Sequence, residues 1–210
     1  VRPEGEQIVG RSVDGVTAGF PTSWAMDPAR KPMIAIGMNG QPLPRDHGDP
    51  ARLIIPGLYG YVSATKWLSE IQLTGWDEFD GYWIPRNWAK EAPILTQSRI
   101  DTPRNDARVA GGTTVPIGGV AWAVDRGVQK VEVAIDGGEW LECEISAPLN
   151  DASWVQWVLP WDAPAEGGEH EIKVRATDGT GEVQTAEITP PAPDGARGHH
   201  TIRVRVDSAS

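Results

Sequence analysis

Apolar and polar positions alternate regularly in the second half of the chain and hardly at all in the first. In Val128–Ile135, Val131, Val133 and Ile135 are apolar, with Lys130 and Glu132 between them. That is the period of two expected of a half-buried strand. Asp136-Gly137-Gly138 is a turn signal, and residues 140–145 form the returning strand. Residues 154–159, 170–176 and 201–206 read as further strands, punctuated by Gly167-Gly168 and Asp178-Gly179. About seven short strands at roughly ten-residue spacing predict a β-sandwich. No Cys–Trp–Cys pattern is present, so the sandwich is immunoglobulin-like in architecture only.

The first half is rich in Pro and Gly and shows only scattered apolar runs. Residues 33–37 and 52–55 read as short buried strands, and residues 63–71 as one short helix capped by Ser63. Residues 75–86 hold Trp76, Phe79, Tyr82 and Trp83 without a clear period. The boundary falls near Ala92-Pro93, giving domains 1–92 and 93–210. Some ninety residues with so few regular elements make a poor autonomous domain, which marks the first half as a fragment of something larger.

Composition narrows the function classes. The 210 residues carry a formal net charge of −10, which repels phosphodiester backbones and argues against nucleic acid as a partner. The single cysteine, Cys143, rules out an internal disulfide framework and a cysteine-based metal knuckle. In the strand 140–145, alternation with Leu141 and Ile145 leaves its facing open, and it reads as a small core or strand residue. No apolar run is long enough to span a bilayer. The N-terminus VRPEGEQIVG has no apolar signal core, and the lack of an initial Met suggests a processed or trimmed chain. Localisation is not legible. The ten Trp read mainly as core and inter-sheet packing.

Candidate chemistry concentrates in residues 38–67. Met38-Asn-Gly-Gln-Pro-Leu-Pro-Arg-Asp-His-Gly-Asp-Pro-Ala-Arg-Leu-Ile-Ile-Pro-Gly57 fixes a non-repetitive backbone that holds Arg45, His47 and Arg52. Arg offers a planar fork of donors, and His offers a donor of selectable tautomer. Then Gly57-Leu-Tyr-Gly60-Tyr-Val-Ser63-Ala64-Thr65-Lys66-Trp67 leads a glycine-containing loop into the expected helix start, an anion site of backbone N–H groups plus the Lys66 ammonium. By composition alone both pieces read more readily as a Pro-stiffened surface loop with solvated Arg and Lys. Other features are bland. His199 and His200 are adjacent and would point to opposite faces of a strand. Asp14-Gly15 with Thr17 is a plain turn more readily than a cofactor contact. The acidic residues 76–80 are a solvated loop or a weak cation site. There is no Ser/His/Asp arrangement and no Walker loop.

Order and spacing add more. Asn-Gly-Gln-Pro-Leu-Pro, Asp-His-Gly, Pro-x-Arg, a hydrophobic triplet, Pro-Gly and a Lys-Trp pair follow one another over residues 38–67. This series resembles the molybdopterin-binding core of the sulfite oxidase and plant nitrate reductase family. More loosely, the resemblance extends from about residue 8 to 206. Val120-Ala-Trp-Ala123, Val131-Glu-Val133, Asp136-Gly-Gly138 and Trp140 are similar to that family's dimerisation domain. The resemblance implies an α+β and mainly β fold: the later part of a molybdopterin-binding domain over 1–92, then an Ig-like dimerisation domain over 93–210. It implies molybdopterin contacts from His47 and Arg52, and from the loop Ser63, Ala64, Thr65 and Lys66. Arg86 and Trp88 would belong to the substrate pocket, and residues 93–210 to a homodimer contact.

Departures from the family matter as much. Its metal-binding cysteine lies in a segment before these motifs, and Cys143 cannot replace it. The family's active-site Tyr position falls on Trp88, which has one N–H but no phenolic proton. Arg197 lies several residues out of register with the family's second-domain substrate Arg. The expectation is therefore a fragment of a molybdopterin-dependent oxidoreductase that does not act strictly on sulfite. The fragment has no catalytic residue or metal ligand of its own, binds no molybdenum cofactor alone, and has the N-terminal part of the same protein as its missing partner. The alternatives are a non-catalytic Ig-like binding or adhesion module using the Trp residues as a platform, and a module whose main role is dimerisation.

Overall fold

A computed structural model describes residues 5–209; the first four residues of the segment read for a signal core lie outside it. The chain forms two compact units. One runs to Ile94 and includes Pro190–Gly195; the other comprises Leu95–Thr189 and the chain from Ala196.

In the first unit, β1 (Gln7–Ser12) lies between β2 (Thr17–Pro21) and β8 (Leu68–Thr74) in an antiparallel sheet. A second sheet has the order β3 (Met33–Ala35), β6 (Arg52–Ile54), β7 (Ala64–Thr65). The two-residue strands β4 (Gly37–Met38) and β5 (Gln41–Pro42) pair with each other. The helices are short: α1 (Thr22–Met26) and α2 (Gly60–Ser63). Phe20, Leu53, Ile55, Leu58, Val62 and Ala92 form the core.

Two expectations are corrected here. Residues 63–71 are not a helix. Ser63 ends α2, its hydroxyl donating to the carbonyls of Leu58 (3.0 Å) and Tyr59 (3.1 Å), and the chain then pairs as β7 with β6 and as β8 with β1. These long-range ladders override a weak local propensity. Residues 33–37 are not buried either. β3 is an edge strand, and Met33, Ile34 and Ile36 are exposed.

The stretch without a period, residues 75–86, is held by an internal cation. Lys90 Nζ donates to the carbonyl of Trp76, to Phe79 O (2.8 Å) and to Asp80 Oδ1 (2.9 Å). The acidic loop does bind a cation, and it is the chain's own Lys90.

The second unit is the expected sandwich. Seven of its strands have four or more residues: β9 (Gln97–Thr102), β10 (Ala107–Ala110), β11 (Thr114–Trp122), β12 (Val128–Ile135), β15 (Val155–Asp162), β16 (Gly168–Asp178) and β17 (His200–Asp207). Two short ones, β13 (Leu141–Glu142) and β14 (Glu144–Ile145), complete it. The sheets have the orders β10-β17-β16-β12-β13 and β14-β15-β11-β9. Inward residues of both, including Ile117, Val131, Val133, Trp157, Val174 and Val204, form one core, as alternation requires.

Residues 140–145 are not a single strand. β13 pairs with β12 in one sheet, and β14 with β15 in the other. Cys143 sits at the crossing, with its N–H donating to Val131 O (2.9 Å) and its side chain in the core.

Two contacts fix the sandwich. At Gly118/Gly119 the register of β11 against β9 shifts by a bulge. A Cβ on Gly119 would lie 1.9 Å from Arg99 O, so only glycine permits this approach. Asp178 is fully buried. It accepts from Arg126 Nε (2.7 Å), Thr96 Oγ1 (3.2 Å), Thr180 Oγ1 (2.6 Å), and the N–H groups of Thr180 (3.0 Å) and Glu182 (3.2 Å). Burial raises its carboxyl pKa, but the hydrogen bonds from Thr180 and Arg126 outweigh that and hold it at about 2 against an ordinary 3.8.

A depressed carboxyl stabilises the fold above its unfolded pKa, and that contribution disappears as pH falls through the folded pKa. Acid melts should therefore lose about 2 kcal/mol between pH 4 and pH 2 from this group. Asp178→Asn should remove that part of the pH dependence and lower stability near pH 7 by about 2 kcal/mol or more, as read by urea titration. Gly119→Ala should cost about 3 kcal/mol or more through overpacking and lost strand pairing; a melting temperature within a degree of the parent would contradict the bulge contact.

Candidate functional site

The register of β6 and β7 sets which side chains the cationic segment presents. Leu53 pairs with Thr65 and Ile54 with Ala64. Continuing that antiparallel register places Arg52 across from Lys66. Paired residues share a face, and faces alternate along a strand. Leu53 and Thr65 are buried, whereas Arg52 is half-buried and Lys66 exposed. Thr65 Oγ1 would lie 2.5 Å from a Cβ on Gly10, so this hydroxyl points into the first unit beneath β1.

The 3-10 turn Arg45–His47 is tied to the same edge. Lys66 Nζ donates to Asp46 O (2.7 Å), Trp67 Nε1 to Arg45 O (3.0 Å), and Trp67 N–H to Gly48 O (3.3 Å). Gly48 has φ +109°, and a Cβ there would meet Lys66 Cα at 3.0 Å. The turn therefore needs glycine both for its conformation and for the close approach. Two segments that the sequence separates by some twenty residues thus meet, and they bring His47, Arg52 and Lys66 to one region together with Arg45. No carboxylate among the described residues pairs with any of the four.

Arg52 Nε is buried and has no hydrogen-bond partner. A buried guanidinium donor without a partner costs free energy unless a ligand accepts from it, so the donor set suits an anionic group. The loop 63–66 contributes differently from expectation. There is no helix N-terminus at this loop. The Ser63 hydroxyl is spent on Leu58 and Tyr59, Thr65 faces inward, and Ala64 offers only backbone. Of the four, Lys66 is the side chain that faces outward with charge.

Arg86 and Trp88 lie in an aromatic cluster. The Arg86 guanidinium stacks 3.7 Å over the Tyr82 ring and donates to Tyr82 O. Trp88 packs against Tyr61 (4.9 Å between centroids) and Trp83 (6.0 Å). No hydrogen bond, ion pair or ring contact joins either residue to His47, Arg52 or Lys66 among the described residues. Tyr61 donates its phenolic O–H to Ala89 O (2.9 Å), and burial, with the Asp194 charge nearby, pushes its pKa up to about 12. It is a neutral donor at physiological pH.

Cys143 is equally inert. Burial, with the Glu132 and Glu142 charges, raises its thiol to about 12, so it is a protonated thiol at physiological pH. Among the described residues no group of three or more His, Cys, Asp or Glu could hold a metal, and no helix is long and apolar enough to cross a membrane. His199 and His200 hold separate contacts: the first meets Gln184 O (2.9 Å), and the second accepts from Ile100 N–H (3.0 Å). The five Trp of the second unit do not line up on one open surface: Trp157 is in the core and Trp161 packs against it, Trp140 lies between Arg175 and His199, and Trp122 and Trp154 pack against each other.

Sequence reasoning left Arg45 without a role and missed Lys90 and Gly48. The positive-φ glycine inside Asp-His-Gly-Asp-Pro was the available signal for the tight turn.

Comparison with known proteins gives the family. The family model described as the oxidoreductase molybdopterin binding domain matches residues 1–83, and the Mo-co oxidoreductase dimerisation domain matches residues 88–190. Mitochondrial sulfite oxidase of Mus musculus is 34% identical over 196 residues, covering 82% of this chain and 35% of that protein. Nitrate reductase [NADH] 1 of Oryza sativa subsp. japonica is 31% identical over 206 residues, covering 79% of this chain and 22% of that protein. The crystal structure of the sulfane dehydrogenase SoxCD from Paracoccus pantotrophus shares the fold, with a TM-score of 0.73 at 24% identity, over 96% of this chain and 55% of that one. The chain spans about a third of the length of its mammalian sulfite oxidase relatives. The two models thus fall one on each half of the chain, and the chain belongs to the sulfite oxidase and nitrate reductase family of molybdopterin oxidoreductases.

Proposed function

We propose that this chain supplies one wall of the pterin cradle and the dimerisation domain of a molybdopterin-dependent oxidoreductase. The observation that carries the proposal is the unneutralised cluster of His47, Arg52 and Lys66, with the buried Arg52 Nε lacking a partner, in a chain of net charge −10. When bound, the cofactor would supply oxo transfer coupled to two electrons. Residues of this chain would bind and orient it. Arg52 and His47 would donate to the pterin, and the Lys66 ammonium, held by Asp46 O, would face its phosphate. Within the loop, Ser63 and Thr65 would shape the backbone, and Ala64 would contribute backbone groups.

Residues 1–92 are proposed as the later part of the cofactor domain, and residues 93–210 as the homodimer contact. The rest of the cofactor domain would cover the exposed run of Met33, Ile34, Ile36 and Met38. That run adjoins the site because Ala35 pairs with Arg52, and an apolar edge strand of this kind calls for a cover. With Cys143 protonated in the sandwich core, the metal-binding thiolate would come from the missing part. Arg86 and Trp88 are proposed for the pocket wall. Trp88 stands where the family has a proton-exchanging Tyr, which argues for a substrate other than strictly sulfite.

The 210-residue chain alone should bind no stoichiometric molybdenum and should not turn over sulfite in a dye-coupled assay; molybdenum near one per chain together with turnover would overturn the reading. In the whole enzyme, Arg52→Ala and His47→Ala should lower molybdenum and pterin occupancy about tenfold or more, an outer-contact loss of about 1.4 kcal/mol or more per position. Ser63→Ala should leave occupancy unchanged and lower thermal stability by about 1 kcal/mol. Occupancy unaffected by Arg52→Ala would remove Arg52 from the cradle.

A further inference from the structure

The second unit holds a cavity of about 420 Å³ that the cofactor chemistry does not use. That volume is in the range of small-molecule sites. Its apolar wall is formed by Val120, Ala121, Trp122, Trp154 and Ile188. The two indoles sit 5.8 Å apart between centroids at 44°. Trp122 is anchored by its N–H donating to Ala152 O (3.0 Å), whereas Trp154 is about half exposed (52%). The wall is therefore rigid on one side and accessible on the other, a geometry suited to a flat ring.

The polar lining has one sign. Among the described residues that line the cavity, none is Asp or Glu, while Arg99, Arg197 and His200 are present. This is notable in a chain of net charge −10. Arg99 is oriented by Asp101 outside the cavity lining, through Nε–Oδ1 at 2.7 Å and Nη2–Oδ2 at 3.3 Å, which leaves Nη1 as a donor. Its guanidinium carbon stands 5.7 Å from the Trp154 ring centroid. His200 Nδ1 accepts from Ile100 N–H (3.0 Å), so in the neutral ring the proton is on Nε2. That N–H has no partner among the described residues. The remaining polar groups are already used: Gln97 Nε2 donates to Ala196 O (2.9 Å), and Ser98 Oγ to Gln184 Oε1 (2.6 Å).

We propose that this cavity binds a small organic anion with a planar apolar body, of the aromatic carboxylate class. The ring lies against Trp122 and Trp154, and the carboxylate accepts from Arg99 and from the His200 Nε2–H. All these residues belong to the second unit, so the proposal stands independently of the cofactor reading.

The probe is 2-naphthoate, compared with the neutral 2-naphthalenemethanol of similar shape, titrated into the 210-residue chain by calorimetry and tryptophan fluorescence. The expected result is 1:1 binding of the acid, at least tenfold tighter than the alcohol. Trp154→Ala should weaken both ligands about tenfold. Arg99→Gln should abolish the preference for the acid. If Trp154→Ala fails to fold, Ile188→Glu serves instead: Ile188 is 84% exposed, and a carboxylate at the mouth should remove binding of the acid while leaving the melting temperature unchanged. No saturable binding, equal affinity for acid and alcohol, or an Arg99→Gln chain that still prefers the acid would overturn the proposal.

Discussion

The pairing of Leu53 with Thr65 is the constraint on which the candidate site depends. Because faces alternate along a strand, this register sends Leu53 and Thr65 into the first unit and leaves Arg52 and Lys66 on the other side. A slip by one residue would bury two cations and expose two core residues, so the hydrophobic pattern enforces the register and the register presents the charge. The turn Arg45–His47 then has one place to dock. Its carbonyls accept from Lys66 and Trp67, and Gly48 allows the backbones to touch.

Charge in this protein is organised locally, and the net value conceals it. The chain is acidic as a whole, yet Arg45, His47, Arg52 and Lys66 at the β6–β7 edge lack carboxylate partners among the described residues, and the sandwich cavity is lined without one. Elsewhere several cations and anions are matched. Asp178 is fully neutralised by Arg126 and its turn, Glu132 accepts from Lys130 and Arg175, and Lys90 is enclosed by carbonyls and Asp80. Matched pairs hold the fold together. Unmatched donors mark places where an anion from outside can complete the hydrogen bonding, since leaving them unsatisfied costs free energy.

Family membership and local chemistry agree on what this chain contains. Both matched family models have a folded counterpart, and the sole thiol is buried in the second of them as a protonated core side chain. The sandwich is independent of that thiol for its architecture: Cys143 marks the point where the chain leaves one sheet for the other, and its backbone N–H donates to Val131 O there.

The sequence by itself determined the sandwich, its strands near residues 128–135, 154–159, 170–176 and 201–206, and the cationic segment over residues 38–67, because alternation of period two and the order of Pro, Gly, Arg and His are local properties. It also determined that the only cysteine lies in the sandwich. Tertiary structure alone decided the rest. Residues 63–71 look helical in isolation, but pairing with β6 and β1 makes them strands. Residues 140–145 look like one strand, but two sheets claim its ends. Residues 33–37 look buried, but β3 lies at an edge. Ser63 and Thr65 look like anion ligands, but their hydroxyls face carbonyls and a neighbouring strand. In each case a contact distant in sequence supplies the deciding free energy, and no local window contains both of its partners.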